Sequence, residues 1–147
     1  MEVTLLFTAS NMPGSWLIRN VTKEPLSHVG IQIGDAIIHS TILKGVTVDS
    51  YNQFMCNKTI VWSIPLNVPK DHLYEIPNTL GAKYDILGLL YLGLRYLIPI
   101  LPKKNLWQMT GMFMCTEFVT DVINEKEDSM ITPYGLYTKL KDKKNDS

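Results

Sequence analysis

The chain has only two cysteines and three histidines, and neither sign of charge is in excess: 14 basic residues balance 14 acidic ones. Each scarcity removes a class of protein. With zero net charge and no basic run interleaved with aromatics, there is no electrostatic footprint for nucleic acid. Cys56 and Cys115 allow at most one bridge. No signal-like start accompanies the short apolar run at residues 3–7, so both thiols are expected to be free in a cytoplasmic protein. The nine glycines are scattered, and no glycine-rich run precedes a Lys-Ser or Lys-Thr pair to cradle a phosphate. His28, His39 and His72 follow no compact ligand spacing, so neither a metal nor another cofactor is expected. The longest apolar stretch, residues 86–101, contains Arg95 and Pro99 and falls short of the about 20 residues that a membrane span requires. It reads as a helix buried against the rest of the domain. With Lys103, Lys104 and Trp107 beside it, residues 86–107 also offer a surface for peripheral membrane contact.

What remains is enough for one folded unit. At 147 residues and 46% apolar composition, a chain buries roughly two-thirds of its unfolded surface without covalent staples. Short strands are expected at residues 3–7, 15–19, 45–48 and 59–64, with turn chemistry at residues 11–14. Residues 28–33 alternate His, Gly and Gln with Val, Ile and Ile. Gly34-Asp35 then separates them from residues 36–40, the pattern of a tight hairpin. Residues 51–55 fit a helical turn. The second half changes period. Asp71 caps a helix that Pro77 breaks or kinks, and Asp85 caps the apolar one. A stripe of Phe118, Val119, Val122 and Ile123 marks a third helix, and Thr132-Pro133 opens a fourth, to about Leu140. The class is α+β, with an antiparallel sheet first and helices after it. Residues 1–140 form a single domain, and 141–147 read as a disordered charged tail.

Three residues carry chemistry. Cys115 stands at the start of its helix, where free N–H groups and the macrodipole favour a thiolate. His28 opens an apolar strand and is followed by Gly30, which lets another backbone or a substrate come close. His39, on the partner strand, is placed for a cross-strand contact with His28. A thiol, an imidazole to take its proton and a polar group to orient that imidazole make a nucleophilic site. The same residues also read as a small core hydrophobe and two sheet histidines. Cys56 has neither the helix start nor a histidine strand beside it.

Four segments taken in order resemble the permuted NlpC-type papain-like proteins, the group that includes the YiiX-like hydrolases and the lecithin:retinol acyltransferase-like enzymes. They are Ser27-His28-Val29-Gly30-Ile31-Gln32-Ile33-Gly34-Asp35, Ile37-Ile38-His39-Ser40, Gly81-Ala82-Lys83-Tyr84-Asp85 and Met114-Cys115-Thr116-Glu117-Phe118-Val119. Residues 131–140 are similar to the closing proline-containing helix. The resemblance implies a circularly permuted papain-like fold, with a barrel-like antiparallel first half packed against C-terminal helices. It implies Cys115 as nucleophile, His28 as general base and His39 as the orienting residue, where other branches carry glutamate. The implied activity is a cysteine hydrolase that cleaves an amide or ester (amidase or peptidase) through an acyl-enzyme on a peptide, cell-wall or lipid acyl substrate. A short chain without a wall-binding module fits a phage or bacterial enzyme. A lipid acyltransferase or thioesterase at a membrane surface, or a non-catalytic binding protein of the same fold, are the alternatives.

Overall fold

The computed structural model describes residues 1–102, 104, 106, 110–125 and 130–145. Strand β1 (Glu2–Ser10) leads into helix α1 (Pro13–Thr22), followed by β2 (His28–Ile33), β3 (Ala36–Thr41) and β4 (Gly45–Ser50). A single turn, α2 (Tyr51–Phe54), and the long β5 (Lys58–Asn67) complete the sheet. Helices α3 (Lys70–Tyr74), α4 (Ile76–Thr79), α5 (Ile86–Leu97), α6 (Cys115–Val122) and α7 (Pro133–Asn145) follow. All pairings are antiparallel and the strand order is β4-β3-β2-β1-β5.

That order corrects the expected barrel-like, permuted papain-like half. Strands β2, β3 and β4 form a meander on one side of β1, while β5 returns to the other side. The two ends of the sheet, β4 and β5, are therefore its most distant strands, and no pairing joins them among the described residues. The sheet is open. A barrel needs its edge strands to meet at a common tilt and stagger, and this connectivity carries them apart.

Strand alternation sorts the side chains into two layers. Leu5, Phe7, Val29, Ile31, Ile38 and Val46 enter the main core with Cys115, Phe118 and Val119 of α6 and Leu136 of α7. The opposite face carries Leu6 and Ile37, which pack with Phe54 of α2. Helix α6 therefore lies across β2 and β3, and α7 against β1 and β5.

Several boundaries differ from the sequence reading. Residues 15–19 belong to α1, not to a strand, because Pro13 sits in the first helical turn, where its fixed φ and missing N–H fit. The helix expected from Asp71 starts at Lys70, and two short helices replace it on either side of Glu75, the second with Pro77 in its first turn. Asp85 does cap α5, accepting a 2.7 Å hydrogen bond from the Gly88 N–H. Only one side of α5 is buried, through Gly88, Tyr91 and Leu92, while Ile86, Leu87, Leu90 and Leu97 are exposed. No helix among the described residues is long and apolar enough to cross a membrane. Lys103 and Trp107, the anchor residues suggested by the sequence, lie outside the described residues. The expected disordered tail is helical as far as Asn145. Lys139 and Lys143 both reach Glu125, at 3.0 and 2.5 Å, and hold the helix onward past Leu140.

Candidate functional site

A short ladder shapes the site. Strands β2 and β3 pair only over Ile31–Ile33 and Ala36–Ile38, so the end that carries His28, Val29, His39 and Ser40 lies beyond the paired register. Tight packing still holds these residues in place. A Cβ on Gly30 would sit 3.0 Å from the Phe54 ring, 3.1 Å from Ile37 Cγ2 and 3.3 Å from the His39 Cβ, so glycine lets Phe54 and His39 pack closely over this strand without a shift of their side chains. Phe54 stacks edge-on against His39, with ring centres 4.9 Å apart.

Within this packing His28 Nε2 lies 2.8 Å from His39 Nδ1, and His39 Nε2 lies 3.1 Å from Asp49 Oδ2. Lys44 Nζ reaches the other carboxylate oxygen at 3.4 Å. Sequence reasoning missed Asp49 because the strand it assigned to residues 45–48 stops one residue short. In the structure β4 runs on to Ser50, and Thr47 and Asp49 share the face of the sheet that His39 occupies. Its signal was the alternation itself, two positions beyond Thr47, the residue directly opposite His39.

Cys115 arrives from the other face. The Met114 N–H is taken up by Glu117 Oε2 at 2.9 Å, which starts α6 at Cys115 in the manner of a capping box. The thiol is 4% exposed. Burial pushes it up to about 11, against the backbone N–H groups of Val29, Thr116 and Cys115, which favour the thiolate and only partly offset that burial. Desolvation therefore outweighs the helix start, and the thiol rests protonated. The structure brings Cys115 to Val29, next in the chain to His28, but no hydrogen bond joins its sulfur to either imidazole among the described residues. Cys56 is exposed. His72 is engaged elsewhere, through Nδ1 and the Val122 carbonyl at 3.2 Å.

The electrostatics keep both site histidines neutral. Burial, then His39, then the Lys58 ammonium hold His28 well below the ordinary histidine value. Burial also lowers His39; the Asp49 hydrogen bond and charge oppose this, while Lys58 and Lys44 add to it. Asp49 is pushed up by burial, yet the hydrogen bonds and charges of His39 and Lys44 together hold it below the usual carboxylate range. Among the described residues no group of three or more His, Cys, Asp or Glu side chains is placed to hold a metal ion.

These directions predict a pH dependence of stability. Below about pH 6.5 an unfolded chain protonates both imidazoles while the folded site resists, so the unfolded state binds more protons and stability falls as pH falls. Thermal unfolding midpoints followed downward from pH 7.5 are expected to drop through this window. The drop should flatten in the variant His28→Gln/His39→Gln. An equally steep drop in that variant would place the acid sensitivity elsewhere.

No protein-family model matches this chain, and no curated protein matches it significantly.

Proposed function

We propose that this chain is a cysteine hydrolase that cleaves an amide or ester through an acyl-enzyme, with Cys115 as nucleophile, His28 as general base and His39 orienting His28. The observation that carries this reading is the 2.8 Å His28–His39 hydrogen bond at a strand end where the next residue, Val29, meets the thiol at the start of α6. The order of motifs that resembles the permuted NlpC-type proteins supports the same roles. Because the thiol and imidazole both rest neutral, the proton moves during attack and not before it. In this reading the Sγ–carbonyl bond forms as the thiol proton passes to His28 across the unpaired end of β2 and β3, and the backbone N–H of Cys115, by analogy with the resembled family, receives the developing oxyanion. The tetrahedral intermediate collapses, the carbon–nitrogen or carbon–oxygen bond breaks, and His28 returns the proton to the leaving group. Water, deprotonated by His28, then releases the acid and restores the thiol. Two free cysteines suit a cytoplasmic setting for this chemistry.

A second reading, a lipid acyltransferase or thioesterase at a membrane surface, is favoured by a surface groove of about 420 Å³. Ile42, Leu43, Ile86 and Leu87 line it, Lys44 links it to Asp49, and the buried Tyr84 is in the same lining. The exposed face of α5 continues its apolar character through Leu90 and Leu97.

The test uses activated esters and amides of short peptides and of fatty acids, with intact-mass detection of the acylated protein. The expected result is a thioester on Cys115 that is absent from Cys115→Ser and still forms in Cys56→Ser. Hydrolysis that survives in Cys115→Ser, or acylation found only at Cys56, would overturn the assignment. Thioester formation from fatty acyl donors alone, with transfer to an added amine or alcohol, would select the second reading.

A further inference from the structure

The chain of contacts beyond His28 does not end at His39, and its far end determines which nitrogen of His28 is free to act. We propose that Asp49, clamped by Lys44, is a positioning residue that fixes the tautomers of both histidines and so makes Nδ1 of His28 the proton acceptor. This rests on the hydrolase reading for its catalytic consequence, but the tautomer assignment stands on the geometry and on Asp49 being a carboxylate.

The logic is one of donors and acceptors. An ionised carboxylate can only accept, so Asp49 Oδ2 at 3.1 Å requires the proton of His39 to be on Nε2. A neutral imidazole has one N–H, which leaves His39 Nδ1 as an acceptor. Its partner at 2.8 Å, His28 Nε2, must therefore donate. The single proton of His28 is then on Nε2, and the lone pair is on Nδ1. The packing holds this acceptor in place: His39 is 1% exposed and set against Phe54, and turning its ring over would break the contacts to both His28 and Asp49. Lys44 contributes orientation as well as charge. By donating to Oδ1 at 3.4 Å it assigns one carboxylate oxygen to itself and the other to His39.

The clamp makes an otherwise conservative substitution disruptive. In Asp49→Asn the Lys44 ammonium, a donor only, retains the amide oxygen and turns the NH2 group toward His39. His39 Nε2 must then accept, its proton moves to Nδ1, His28 Nε2 must accept in turn, and the proton of His28 moves onto Nδ1. The base nitrogen is blocked by a change two hydrogen bonds away. Removing Lys44 as well frees the amide to rotate and present its oxygen to His39, which restores the original order. Lys44→Ala alone leaves the carboxylate accepting from His39 and the tautomers unchanged.

The experiment is long-range nitrogen–proton NMR of imidazole-labelled protein at neutral pH, on wild type, Asp49→Asn, Lys44→Ala and Lys44→Ala/Asp49→Asn. Wild type and Lys44→Ala are expected to show Nε2–H on both His28 and His39, Asp49→Asn to show Nδ1–H on both, and the double variant to return to Nε2–H. Turnover, read in parallel, should fall about 10³-fold in Asp49→Asn through kcat with KM little changed, and recover at least tenfold in the double variant. Nδ1–H on His28 in wild type would overturn the proposal, as would Nε2–H retained in Asp49→Asn. Should Asp49→Asn fail to fold, the wild-type tautomers and their persistence in Lys44→Ala decide it. The two readings fail separately. A wild type that acylates Cys115 without these tautomers loses only the relay. One that shows them yet never acylates Cys115 keeps the relay and loses the hydrolase.

Discussion

Replacing Cys115 with serine is expected to lower turnover of an acyl substrate by about 10³-fold or more, and adding His28→Gln to that variant should cost less than about tenfold further. The reason lies in how the two groups share one step. Serine keeps nearly the volume and burial of cysteine, so the main core around Phe118 and Val119 has little cause to rearrange. Its hydroxyl holds its proton far more tightly than a thiol. In a site where burial already pushes the thiol up to about 11, moving that proton to a neutral imidazole meets a still higher barrier. Once the nucleophile is lost the base has no proton to move, and its removal adds little. Steady-state rates of the two single variants and the double variant, beside their unfolding midpoints, check this. Independent, multiplicative losses would mean that Cys115 and His28 do not act on the same proton.

The second large effect is structural. Gly45→Ala is expected to destabilise the fold by about 3 kcal/mol, roughly 1–2 from the left-handed backbone and the rest from overpacking. Gly45 has φ +67°, and a Cβ there would drive into the Ala82 carbonyl, an oxygen that already accepts the Val46 N–H at 2.8 Å. Val46 in turn accepts from the Gly81 N–H at 2.8 Å, so residues 81 and 82 are bonded to the start of β4. The unfolding midpoint should fall by about 10 °C for a chain of this size. Gly34→Ala is the matched control. Gly34 is also left-handed, at φ +58°, but nothing lies within 4 Å of the added atom, so only about 1 kcal/mol of backbone strain applies. Equal losses in the two variants would show that contact with Ala82 contributes nothing. Because Lys44 immediately precedes Gly45, the Asp49 clamp should loosen in Gly45→Ala as well.

Much of the local structure is legible in the sequence. The period-two pattern of residues 28–33, Gly34 in the left-handed turn, Asp85 as a helix cap and Pro133 at a helix start each follow from the residue's own backbone preference. Where short runs were ambiguous, neighbours decided. Residues 15–19 are apolar enough for a strand, but Pro13 ahead of them starts a helix that packs on α5. Residues 141–145 carry charges that read as a solvated tail, and contacts to Glu125 from Lys139 and Lys143 keep them helical. Neither Glu125 nor its partners announce each other in the sequence, because they are brought together by the packing of α6 and α7.

The sequence by itself determined the α+β class, the antiparallel hairpin that carries His28 and His39, and the helix that begins at Cys115. These depend on spacings of a few residues, where steric preference and periodicity act directly. Only the tertiary structure decided that the sheet stays open, since that depends on which side of β1 the strand β5 returns to. It also decided the protonation of the site. A helix start favours a thiolate, but burial beneath α6 costs a charged sulfur more than a few N–H groups return, so Cys115 rests as a thiol. Asp49 became a partner of His39 for the same kind of reason: the two residues are ten apart in the chain, and the β3–β4 register makes them diagonal neighbours on one face, whose side chains meet at 3.1 Å.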